Sequence, residues 1–122
     1  MNNIEGTWLS RYEYTEGSNS EPSVSEHRIE FKPADNGWIG KSISQPDESQ
    51  VALELTQNGT EFSGTWHERT AQSGHYNGRD FGGLLMLILN NEGTELNGRW
   101  LGASSSTGRV KAGTWTLQKT SD

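Results

Sequence analysis

The chain has 122 residues, 30% of them hydrophobic, and a formal net charge of −6. That length bounds it to one domain over residues 1–122, and an acidic balance with scattered Lys and Arg speaks against a nucleic-acid-binding face. The lack of cysteine excludes a disulfide frame, a thiol nucleophile and a cysteine zinc site, while the periodically placed aromatics separate the chain from disordered sequences.

Period-two alternation runs through the sequence and no stretch carries a helical stripe, so the elements are strands. The first, Ile4 to Tyr14, puts Trp8, Ser10, Tyr12 and Tyr14 on one side. The residues before it lack the basic and apolar regions of a signal peptide, and the expected location is cytoplasmic. The second, Ser25 to Lys32, sets His27, Ile29 and Phe31 against Glu26, Arg28 and Glu30; the charged side must face water. The third runs from Trp38 to Ser44 and carries Ser42. In the fourth, Gln50 to Gln57, Val51, Leu53 and Leu55 oppose Ala52, Glu54 and Thr56.

The fifth strand, Glu61 to Ala71, aligns Phe62, Gly64, Trp66, Glu68 and Thr70. The sixth, Gly82 to Asn90, breaks the pattern, because Leu84 to Leu89 is apolar on both faces. This run is far short of the roughly 20 residues of a membrane helix. Its outer face needs a cover, and the expectation is a homo-oligomer through this strand, with charge at Leu85 and Leu87 as the disrupting change. Cover by a loop or terminus is the alternative. The seventh, Leu96 to Ser104, aligns Leu96, Gly98, Trp100 and Gly102, and the eighth, Arg109 to Lys119, aligns Trp115 with Leu117.

The connections alternate in character. Lys32 to Gly37, Gln57 to Thr60 and Asn90 to Thr94 are compact and carry hairpin chemistry. Thr15 to Val24, Gln45 to Ser49, Gln72 to Phe81 and Ser104 to Gly108 are mostly longer and more polar. One phrase is written twice: Asn58-Gly59-Thr60-Glu61-Phe62-Ser63-Gly64-Thr65-Trp66 returns as Glu92-Gly93-Thr94-Glu95-Leu96-Asn97-Gly98-Arg99-Trp100. Gly-x-Trp also opens the chain at Gly6-Thr7-Trp8 and recurs near its end at Gly113-Thr114-Trp115. The prediction is an all-β fold, an eight-stranded antiparallel up-and-down β-barrel, with short turns at one end and long loops at the other.

Such a barrel is dry and aromatic near the short turns, where Trp8, Phe31, Trp38, Trp66 and Trp100 fall. It is polar near the long loops, where Ser10, Tyr12, Tyr14, His27, Ser42, Ser44, Glu68 and Thr70 fall. The candidate ligand-binding residues are Ser10, Tyr12, Tyr14, His27, Ser42, Trp66, Glu68 and Trp100. Glu68 suits contact with a ligand amine or hydroxyl, a general base with a raised pKa, or a structural hydrogen-bond hub partnered by Tyr12 or His27. His27 suits ligand contact, proton transfer or a satisfied rim position. His67 points outward. His75 and Tyr76 lie in a candidate lid loop. No catalytic signature, phosphate loop or metal spacing is present, so no catalytic residue, metal ligand or cofactor is assigned.

Gly6-Thr7-Trp8 on a first strand followed by seven meander strands resembles the calycin group of lipocalins, fatty-acid-binding proteins and avidins, with avidin-like barrels nearest in shape. Gly6 to Tyr14, Gly64 to Thr70 and Gly98 to Gly102 also resemble the C-terminal barrel attached to helix-turn-helix regulators in some actinobacteria. The calycin resemblance implies a ligand cavity. It does not imply biotin, because Ser10 and Tyr14 are the only counterparts of the ureido-binding pair and the last strand lacks an Asp partner. Gly-Thr-Trp is similar to nitrobindin-type haem barrels as well, which need an axial histidine, with His75 as the one candidate.

The expected function is sequestration or sensing of a small, partly apolar molecule, with no nucleic-acid or membrane partner. The alternative is a cofactor-free cyclase or isomerase acting on a hydrophobic metabolite in the same cavity. A third reading is a protein-interaction module using the outer face of the sixth strand.

Overall fold

The computed structural model describes residues 3–15, 22–43, 48–70, 80–103 and 109–121. Eight strands follow one another: β1 Gly6–Thr15, β2 Pro22–Ala34, β3 Gly37–Ser42, β4 Gln50–Asn58, β5 Glu61–Arg69, β6 Asp80–Leu89, β7 Glu95–Ala103 and β8 Val110–Ser121. Each pairs antiparallel with its neighbours in sequence, and β8 returns to β1 to close the barrel. Closure leaves no open sheet edge. A register shift between Thr7 and Trp8 accommodates the seam.

Because strand direction alternates, the turns at 35–36, 59–60 and 90–94 gather at one end, with the longer connections at the other. At the short-turn end the two copies of the repeated phrase fold alike. Gly59 and Gly93 adopt φ of 65° and 74°, the left-handed region open to glycine. The Thr60 carbonyl accepts from Leu89 N–H, and the Thr94 carbonyl from Lys119 N–H, both at 2.9 Å. Asn90 fixes the second turn by accepting from Thr94 and Glu95 N–H through its side chain. The segment before β1 tucks beneath this end. Ile4 is fully buried, and its carbonyl accepts the indole N–H of Trp8.

The core is the inward set of all eight strands. Trp8, Phe31, Phe62, Leu53, Leu87, Leu96 and Leu117 are fully enclosed, and Trp8 meets Phe31 edge-on at 6.2 Å. On β6 the inward residues are Leu85, Leu87 and Leu89, whereas Leu84, Met86 and Ile88 are exposed. The expected outward role of Leu85 and Leu87 is therefore corrected: they pair with the inward-facing Gly64 and Phe62 on β5 and Trp100 and Gly98 on β7, and this parity turns both into the core. Element bounds shift by one to three residues at every strand, and two of the shifts have a plain cause in the register. Pro33 and Ala34 belong to β2, because the β2–β3 turn needs only Asp35 and Asn36. Asp80 and Phe81 belong to β6, where Arg69 and Glu68 supply their partners on β5.

Candidate functional site

The interior toward the long connections is built on three indoles. Trp66 meets Trp100 at 5.7 Å and 79°, and Trp115 at 5.9 Å and 62°. Register raises Trp66 and Trp100 above the floor where the sequence pattern put them. Trp66 stands two residues below Glu68 on β5, and the Trp100 indole N–H donates to the Glu13 carbonyl near the end of β1. The two follow one rule. Trp66 crosses β6 at Gly83 and donates to the Leu101 carbonyl on β7. Trp100 crosses β8 at Gly113 and donates to a carbonyl on β1. Glycine on the crossed or receiving strand gives the ring room: a Cβ at Gly102 would stand 2.8 Å from Trp66 Cζ2, and one at Gly113 would stand 2.5 Å from Trp100 Nε1. Both N–H groups are spent on the framework, so these two indoles offer a ligand only apolar faces.

Trp115, enclosed at 1% exposure, donates its N–H to Ser10 Oγ at 2.7 Å. Ser10 is itself fully enclosed, and its place is inside the core rather than at a polar rim. Ser42 accepts the Val51 backbone N–H at 2.9 Å and pins β3 to β4. Tyr14 lies on β1 opposite Ser23, and its side chain is outside the described set. Ser44, His75 and Tyr76 also lie outside the described residues. His67 is exposed, 3.5 Å from Asp80.

Above the indoles, three side chains from three strands meet. Tyr12 on β1 lies against Trp115, centroids 4.5 Å apart and planes tilted by 33°, and is parallel to the His27 ring, 3° between planes and 6.2 Å between centroids. The Tyr12 hydroxyl hydrogen-bonds the Glu68 carboxyl, reaching across the barrel from β1 to β5. Burial pushes the Glu68 carboxyl above its usual 4.5, and the Tyr12 hydrogen bond offsets part of that rise. Its register neighbours, Val51 and Phe81, are apolar and supply the dry surroundings. Burial likewise holds the His27 imidazole below its usual 6.5, against the opposing pull of the Glu48 carboxylate.

His27 Nε2 lies 2.9 Å from Ser49 Oγ, while Nδ1 is buried with no hydrogen-bond partner. An orphaned N–H is costlier than an orphaned lone pair, so the favoured tautomer donates from Nε2 to Ser49 and leaves Nδ1 as an acceptor. Of the eight sequence candidates, Tyr12, His27, Trp66, Glu68 and Trp100 come together here, whereas Ser10 and Ser42 serve the framework.

Sequence reasoning missed Trp115, Phe81 and Lys111. In the sequence Trp115 ends a Gly-x-Trp phrase and aligns with Leu117, and neither feature marks it for the site. Phe81 shares parity with Leu85 and packs on the core, a signal hidden by assigning it to a loop. Lys111 shares parity with Trp115 and is half-buried on β8 opposite Gly102. In comparisons with known proteins, no family model and no curated protein matches the chain.

Proposed function

We propose that this barrel binds a small, partly apolar molecule at its long-connection end, in the manner of a calycin carrier or sensor. The observation that carries this reading is the Tyr12–Glu68 bridge, set on an indole cluster beside His27. A barrel that only needed a core would place apolar side chains there, since holding a carboxyl and an imidazole away from water is costly. Binding sites accept that cost, combining apolar walls with a few placed polar groups. The Trp66 and Trp100 faces provide burial, while Glu68, Tyr12 and His27 orient the guest.

Native mass spectrometry of protein purified from cells tests the proposal. The expected result is a co-purified small molecule that Glu68→Gln releases or weakens. A barrel that carries nothing, and whose Trp fluorescence ignores every member of an apolar metabolite set, overturns it. Glu68's raised pKa also fits an acid or base in a cofactor-free isomerase or cyclase. Turnover lost in Glu68→Gln with binding retained selects that second reading.

A further inference from the structure

The barrel end that holds Tyr12, His27 and Glu68 has its donors engaged and keeps acceptors to offer. The indole N–H groups of Trp66, Trp100 and Trp115 go to the Leu101 carbonyl, the Glu13 carbonyl and Ser10 Oγ. The Tyr12 hydroxyl donates to the Glu68 carboxyl, since the bond favours the ionised acid. In its favoured tautomer His27 donates from Nε2 to Ser49. A carboxylate has about four acceptor positions, and the Tyr12 bond takes one of them. His27 Nδ1 is buried and has no partner. Both acceptors neighbour Tyr12, one through its hydroxyl and one beside its ring.

Charge points the same way. On the eight strands Glu68 is the one acid of inward parity. Two basic residues share that parity, both on β8. Lys119 lies at the short-turn end, its Nζ 5.9 Å from the centroid of the Trp8 ring. Lys111, toward the other end, is engaged in an interaction of its own. An anionic guest would meet the Glu68 carboxylate as a like charge. A neutral alcohol would bring one donor and leave that carboxylate uncompensated among apolar neighbours. An ammonium group brings N–H donors for both acceptors and an opposite charge for the carboxylate, in surroundings where an unpaired charge is costly. Ring faces attract the same cation through their negative quadrupoles, and Trp66, Trp100, Trp115 and Tyr12 stand together here. The net charge of −6 draws cations toward the chain.

We infer that the guest of this site is a protonated primary or secondary amine on an apolar body, its ammonium group held by the Glu68 carboxylate and His27 Nδ1 and its body against the Trp66 and Trp100 faces. This rests on the barrel being a binder, as proposed above, and narrows the class of molecule it takes.

Isothermal titration of the full chain with hexylamine, 1-hexanol and hexanoate at pH 7 tests it, with Trp fluorescence as a parallel readout. The three share an apolar tail and differ in head group, and an alkylamine is protonated at that pH. Hexylamine is expected to bind about tenfold more tightly than either of the others, the margin of a charged over a neutral hydrogen bond. Trimethylhexylammonium keeps the charge without the N–H donors, and its affinity is expected to fall between those of hexylamine and hexanol. Glu68→Gln is expected to bring hexylamine down to the level of hexanol. His27→Phe is expected to weaken hexylamine several-fold and leave trimethylhexylammonium unchanged. Near-UV circular dichroism checks the folding of both variants. Hexanol or hexanoate binding as tightly as hexylamine overturns the inference and leaves the barrel a carrier of another class. Undiminished hexylamine affinity in Glu68→Gln overturns it as well. If none of these probes binds, the inference also falls, and the wider metabolite set then decides the carrier reading separately. The head-group comparison uses the wild-type chain, so the test stays decisive even where a variant does not fold.

Discussion

The Trp115 indole N–H and the Ser10 hydroxyl are joined at 2.7 Å in a region where neither side chain reaches water. The donor belongs to the last strand and the acceptor to the first, so the bond fastens the seam of the barrel from within. Ser10→Ala leaves a buried donor without a partner. It is expected to lower unfolding free energy by about 1–3 kcal/mol, measured by urea denaturation. A loss near zero would show that Trp115 finds another acceptor.

Tyr12→Phe removes the hydroxyl that favours the ionised form of Glu68. The Glu68 titration, followed by carboxyl carbon NMR, is expected to move further upward. A downward shift would show that the Tyr12 hydroxyl favours the protonated acid instead.

Glu68 and His27 give stability opposite pH dependences. The raised Glu68 pKa means its favourable contribution is full below 4.5 and is lost as pH rises through the folded-state value. The lowered His27 pKa means its contribution is full above 6.5 and is lost as pH falls toward the folded-state value. Relative to wild type, Glu68→Gln is expected to gain stability as pH rises, and His27→Gln as pH falls below 6.5. Urea midpoints between pH 4.5 and 8 check both slopes, and parallel curves for wild type and variants would refute them.

Gly113→Ala places a methyl group against Trp100 Nε1 and the Glu13 carbonyl. The indole must leave its hydrogen bond, at an expected cost of about 1–3 kcal/mol. Trp emission is expected to shift to the red. An unchanged spectrum with unchanged stability would show that the ring does not depend on this glycine.

The barrel was legible because its strands alternate cleanly and its turns carry Asn and Gly. His27, Ile29 and Phe31 against Glu26, Arg28 and Glu30 fixed one face, and parity carried the rest. Heights inside the barrel were less legible. Trp66 and Trp100 share a phrase with a turn, which suggested the floor, but strand stagger in a closed sheet lifts them. Ser10 reads as a polar rim residue in one dimension, and only its neighbour across the seam reveals a buried acceptor. The Tyr12–Glu68 contact joins opposite walls: parity turns both side chains inward and makes Tyr12 or His27 the partner of Glu68, but spacing along the chain does not choose between the two.

Every strand but two finds both partners by simple reversal of the chain; β1 and β8 must meet from opposite ends of the sequence. Closing a short hairpin is fast, whereas bringing distant segments together carries most of the loop entropy. The sealing step is thus the natural bottleneck in folding. A circularly permuted chain, its ends joined and a different connection cut, would turn that step into an ordinary hairpin and shift the slow event to the new opening.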